Sequence, residues 1–231
     1  MPHPTVVFDF DGTLALGHRP VLAYASHLAD AAGDRRLFAE AVDALDRLDA
    51  GDPEFLDGYD AVRQVALAHA VSEVALEAAY QASRQDLGTP AAPVTAPEGL
   101  AEFLADLAAD AHLVLATNAP AAGVERALVG LGAAEHLTER HCAVGKPAGL
   151  GAVVEKHLSD GPVLSVGDIW DYDLAPAARL GAATALVGPT ASRTTHHPTM
   201  RGTTLADLYG DIQAWVASAA RETLHPTDRK A

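Results

Sequence analysis

The sequence predicts an α/β fold, a parallel sheet with helices on both faces joined to a small, wholly helical second domain. Short apolar, β-branched runs alternate with helical stretches over most of the chain, which implies parallel strands linked by crossover helices. The helical stretches close on glycine, where a left-handed cap is easy. One segment, 15–92, breaks the alternation with helix signals and no strand signal.

Thr5–Phe8 is short, apolar and stopped by the acidic turn at Asp9, so it reads as a buried strand. In the next segment Arg36–Leu48 carries Leu37, Phe38, Ala41, Val42, Leu45 and Leu48 at helical spacing. Val62–Ala70 and Val74–Ala82 read likewise, with turn signals at Gly33, Gly51-Asp52-Pro53 and Ser72. Gly88 to Pro93 is a turn-rich connector. Strands are then expected at Leu113–Ala116, Val163–Val166 and Thr184–Val187. Helices are expected at Val124–Leu131, closed by Gly132, and Ala175–Leu180, closed by Gly181, with Pro120 and Pro176 in first turns. The tail after Thr223 is polar and expected to fray. The resulting division is 1–14 with 93–231 for the α/β domain and 15–92 for the helical one.

The chain of 231 residues carries 31 acidic against 16 basic side chains, a formal charge of −15. That field repels a phosphate backbone and no basic cluster offsets it, so nucleic acid is not an expected partner. An anionic substrate would need a local reversal of the field, from a metal ion or a well-placed lysine. The lone Cys142 forbids an intrachain disulfide, and no run approaches the roughly 20 apolar residues of a spanning helix. The expectation is a cytoplasmic protein with no membrane partner. Oligomeric state leaves no mark in the sequence.

Four stretches could carry chemistry. Asp9-Phe10-Asp11-Gly12-Thr13-Leu14 follows the first strand, at the end where parallel sheets gather ligands. One carboxylate there can attack phosphorus while the other protonates a leaving oxygen and later deprotonates water. Gly12 lets backbone N–H groups approach an anion, although an acidic turn at a strand end is the plain alternative. Thr117-Asn118 stands between a strand and a helix, able to hold phosphate oxygens or simply to cap that helix. Lys146, in Gly145-Lys146-Pro147, offers a compact cation for a phosphoryl oxygen. Asp168 follows the Val163–Val166 strand, and Asp173 lies a turn further on. Magnesium binds through one or two carboxylates, which Asp9 and Asp168 could supply while Asp173 orients a ligand water or Lys146. The Asp9 motif is the strongest alone, while Thr117-Asn118 and Lys146 alone read better as cap and surface; their order and strand-end placement argue for a site.

Together they resemble the haloacid dehalogenase-like hydrolase superfamily, which shows Asp-x-Asp-Gly-Thr/Val, a strand-end Ser/Thr, a Lys, then Gly-Asp with a later Asp. The resemblance covers roughly 4–14 and 93–190, including Pro97-Glu98-Gly99-Leu100 before the second motif's strand. It implies a Rossmann-like core, and a helical cap in the segment between the first two motifs. It also implies Asp9 as nucleophile, Asp11 as general acid/base and carbonyl donor to Mg2+, Thr117 and Lys146 on phosphate, and Asp168 on the metal. The stretch from Thr117 to Lys146 is too short for the large alternative cap. Tyr172 replaces the Asn common before the last acid, and Pro176 a small residue.

The implied activity is magnesium-dependent hydrolysis of a small phosphorylated metabolite through an aspartyl phosphate. A phosphosugar mutase is the alternative within phosphoryl transfer. Haloacid dehalogenation fits less well, because Asp11 stands where no leaving alkoxide would need a proton. A non-catalytic scaffold would have no use for the full acid and base set. Phosphoglycolate, sugar phosphates and nucleotide monophosphates all stay open as substrates. Elsewhere, adjacent His196-His197 lack zinc-spaced partners; Tyr59 and Arg63 lie on a solvated face or touch substrate; Trp170 packs or borders the pocket; Cys142 reads as a buried small hydrophobe.

Overall fold

The Thr5–Phe8 run forms β1, buried at every position and paired on both sides, as a continuously apolar strand must be. The computed structural model describes residues 3–189 and 191–224. Parallel neighbours of β1 are β2 (His112–Ala116) and β4 (Val163–Gly167). The six-stranded sheet adds β3 (Glu139–His141), β5 (Ala183–Leu186) and β6 (Met200–Arg201), in the order β3-β2-β1-β4-β5-β6, every pair parallel. β3 and β6 were not expected: one is Glu-Arg-His and half-buried, the other two residues long, so neither has an apolar run to announce it.

By contact the chain divides into one unit of 1–15, 96–118 and 131–231 and a second of 16–95 and 119–130. The first holds the sheet, with α5 (Leu100–Ala108), α7 (Leu150–Leu158), α8 (Ala175–Arg179) and α9 (Tyr209–Leu224). Its helices flank both faces of the sheet. On one side Val7, Val114 and Ala116 pack with Val153 and Val154 of α7. Phe8 meets Phe103 of α5 edge-on, and Phe103 stacks on Tyr209 at 3.9 Å. The polar tail beyond Thr223 falls mostly in 225–231, outside the described residues.

The second unit is helical: α1 (Arg19–Ala32), α2 (Arg35–Asp49), α3 (Gly58–Ala68) and α4 (Glu73–Asp86) around Leu28, Leu37, Leu45, Val62 and Leu76. Asp34, Asp57 and Ser72 cap the last three through their side chains, and Gly33 ends α1 left-handed. α1 is a helix beyond those expected, and its buried Val21, Tyr24, Ala25 and Leu28 repeat at helical spacing. α6 (Ala121–Gly130) clusters here too, although alternation assigns it to the α/β domain. The reason is local: α6 is broken at Gly123 (φ 82°), where an added Cβ would lie 2.3 Å from the carbonyl oxygen of Arg84. Arg126 then donates to the carbonyls of Leu87 and Gln85 at 2.9 and 2.5 Å.

Candidate active site

β1, β2 and β4 lie side by side, so the residues that follow them leave one edge of the sheet together. Asp9 follows Phe8, Thr117 follows Ala116 and Asp168 follows Gly167, and the register pairs Phe8 with Leu115 and Val166. The Asp9 amide extends the ladder by donating to Val166 at 2.9 Å. Lys146 arrives from the segment after β3, whose course is tied to β2: Thr117 donates to His141 and Val144 donates back to Thr117, at 2.9 and 3.1 Å. Thr117 is itself buried.

The centre is a buried ion-pair network. The Lys146 ammonium donates to the Asp9 carboxylate and, at 2.6 Å, to Asp173. Asp9, Lys146 and Asp173 are each at most 9% exposed. Burial pushes the Asp9 carboxyl up to about 7, with Lys146 pulling it back and Asp173 and Asp11 adding to the rise. Burial also works against the Lys146 cation, but Asp9 and Asp173 outweigh it and hold the ammonium charged. The lysine's charge is the firmer of the two, because Asp173 still faces it when Asp9 takes up a proton.

Asp173 is the most constrained of these groups. A turn of π-helix, Trp170–Leu174, brings it back toward β4. Its second oxygen accepts from the Ile169 amide at 2.9 Å, and Ser165 donates to its backbone carbonyl at 2.7 Å. Gly167 makes room: a Cβ there would sit 2.3 Å from the Cβ of Asp173. Ser165 has no signal in the sequence and Gly167 enters only as the glycine of the Gly-Asp motif, since only the strand register reveals that they face Asp173. Gly12 plays the same part for Asp168, whose Oδ2 would be 2.2 Å from an added Cβ. Its amide donates to Ala15 at 2.9 Å, so the turn closes on itself. Thr13 donates to Asp9 at 3.4 Å. Asn118 is committed to the lysine: its amide oxygen accepts from the Lys146 backbone at 2.6 Å, and its nitrogen donates to that residue's carbonyl at 3.3 Å.

Carboxylate oxygens of Asp9, Asp168 and Asp173 all lie within 4.8 Å of one another. Three acids facing one lysine leave a surplus of negative charge that a small divalent cation would offset. Asp11, half-buried, bridges to Ala15 in the turn.

The model of one protein family, haloacid dehalogenase-like hydrolase, matches residues 3–181. The chain belongs to this family. Solved structures agree on the fold of this hydrolase. The magnesium-bound HAD-hydrolase YfnB of Bacillus subtilis aligns at TM-score 0.64 and 16% identity, over 92% of this chain and 100% of that one. A protein of Clostridium difficile described as a candidate phosphatase aligns at 0.65 and 20%, over 92% and 99%. The 2-haloacid dehalogenase of Pseudomonas syringae aligns at 0.56 and 21%, over 93% and 100%. No curated protein matches the sequence. Among the described residues, no helix of this haloacid dehalogenase-like hydrolase is long and apolar enough to cross a membrane.

The other residues noted in the sequence lie elsewhere in the hydrolase. Trp170 stacks on His196 at 4.6 Å and packs against Leu174 and Leu186. Tyr59 is not on a solvated face: it packs against Tyr24 and Tyr80 and accepts from buried Arg84. Arg63 is exposed and paired with Glu73 at 2.7 Å. Cys142 is half-buried rather than buried, and burial raises its thiol pKa.

Proposed function

We propose that this hydrolase cleaves small phosphomonoesters with Mg2+, using Asp9 as nucleophile and Asp11 as general acid and base. The observation that carries the reading is the buried Asp9–Lys146–Asp173 network, with Asp168 held against Gly12 beside it. Asp9, Asp168 and the backbone carbonyl of Asp11 would hold the metal, which would supply charge neutralisation at the phosphoryl oxygens. Magnesium in the B. subtilis relative supports that choice.

In the first step an Asp9 oxygen attacks phosphorus and the ester P–O bond breaks. The departing oxygen takes the proton of the Asp11 carboxylic acid. In the second, water attacks the phosphorus of the aspartyl phosphate, the Asp11 carboxylate accepts its proton, and the P–O bond to Asp9 breaks to release phosphate. Lys146 stabilises charge on the phosphoryl oxygens, Thr117 hydrogen-bonds one of them, and Asp173 keeps Lys146 aimed. Asn118 acts by fixing the Lys146 backbone, and Gly12 by admitting Asp168. The helical unit serves as a cap that selects the substrate. Asp11 argues against the dehalogenase reading, since halide leaves without a proton.

The test is a screen of metabolite phosphates with and without Mg2+. Turnover should require the metal and vanish in Asp9→Asn; phosphatase activity surviving in that variant would refute the nucleophile.

A further inference from the structure

The opposite edge of the sheet, where the strands begin, carries a cluster that the proposed reaction does not use. His112 opens β2 and Glu139 opens β3. The register pairs Glu139 with Val114, so alternation puts His112, Glu139 and His141 on the face that α7 covers. His157, in the last turn of α7, meets them there. We propose that His112, Glu139 and His157 form a binding site for a divalent transition metal of the zinc class.

The spacing is that of metal ligands. The Nε2 atom of His112 lies 3.0 Å from one Glu139 oxygen, and that of His157 lies 3.1 Å from the other. Ligands held tetrahedrally at about 2.0–2.1 Å from zinc stand roughly 3.3 Å apart. One donor atom from each of the three residues falls within a common 4.8 Å. The two imidazole rings are tilted, with centroids 5.3 Å apart. The set mixes nitrogen and carboxylate, unlike the all-oxygen cluster around Asp9, and so suits zinc rather than magnesium. The ligands come from two strands and a helix, which fixes them.

Access is open. A cleft of about 620 Å³ lies over the cluster, lined by His3, His112, Glu139, Lys156, His157 and Asp160 among others. The Lys156 ammonium, 2.7 Å from Glu139, is 58% exposed and can swing into water as an ion enters. His141, 2.7 Å from the same carboxylate oxygen, orients it.

The plainer reading is a carboxylate gathered among cations with no metal, and titration separates the two. Untagged Asp9→Asn protein, in excess Mg2+, is titrated with Zn2+ by calorimetry and with Co2+ by visible absorption. One Zn2+ per chain, a raised melting temperature and the strong bands of tetrahedral cobalt are expected. His112→Gln and Glu139→Gln should each weaken zinc binding by about tenfold or more while leaving phosphatase turnover intact in the otherwise wild-type chain. Binding that is absent, or that both variants retain unchanged, overturns the site. That outcome would leave the Asp9 chemistry standing, because the ion is titrated with Asp9 already removed.

Discussion

At the scale of single residues, the network is governed by burial. Asp9 is a carboxylate with its pKa pushed from 3.8 to about 7 by burial. A carboxyl whose folded pKa exceeds its unfolded one adds stability below the unfolded value and loses it as pH rises through the folded value. In metal-free buffer, thermal melts from pH 4 to 7 should therefore show a fall in stability that Asp9→Asn lacks; parallel profiles would contradict the burial argument. Asn118 supplies a second prediction. Both its polar atoms grip the Lys146 backbone, so Asn118→Ala should lower kcat by about tenfold or more with KM little changed, as loss of that pair of hydrogen bonds predicts. Steady-state kinetics decide, and a pure KM effect would instead mean direct substrate contact. Asp9, Lys146 and Asp168 could be read from their order along the chain, because strand ends of one sheet converge. The partner chosen by Asn118 could not, since it depends on the path of a loop that pins Lys146 across β2 and β3.

Elements matter through where glycine lets them touch. β4 ends in Gly167 and the π-turn returns Asp173 on top of it, with no space for even one methyl group. Gly167→Ala should push Asp173 off Lys146 and cost on the order of 10²-fold in kcat/KM, since displacement of about 1 Å has that effect. Circular dichroism should still report a folded chain, and wild-type kinetics would show that Asp173 does not position the lysine. Legibility at this scale followed hydrophobicity. β1, β2, β4 and β5 have apolar runs and were expected within a residue or so. β3 is only partly buried and carries charge, so its membership in the sheet comes only from pairing with β2. The first helix has an apolar period, Val21, Tyr24, Ala25 and Leu28, that begins only a few residues after the acidic motif.

For the molecule as a whole, charge is the dominant property. With a formal −15, the chain would repel the proposed phosphorylated substrate until it nears Lys146 and the metal proposed beside it. Raising salt from about 0.01 to 0.15 M shortens the screening length about fourfold and should increase kcat/KM rather than reduce it. A fall would mean that a local positive field dominates the approach. The division into units was only partly legible, because nothing in the composition of 119–130 separates it from the alternating helices; the allegiance rests on Gly123 against Arg84 and Arg126 against Leu87. The chain passes between the units four times, at 15/16, 95/96, 118/119 and 130/131. Under the proposed capping role, transplanting specificity from a relative therefore requires exchanging two cassettes together. A graft of 16–95 alone would import a foreign α4 against the resident α6, and its fit would turn on a single missing methyl group.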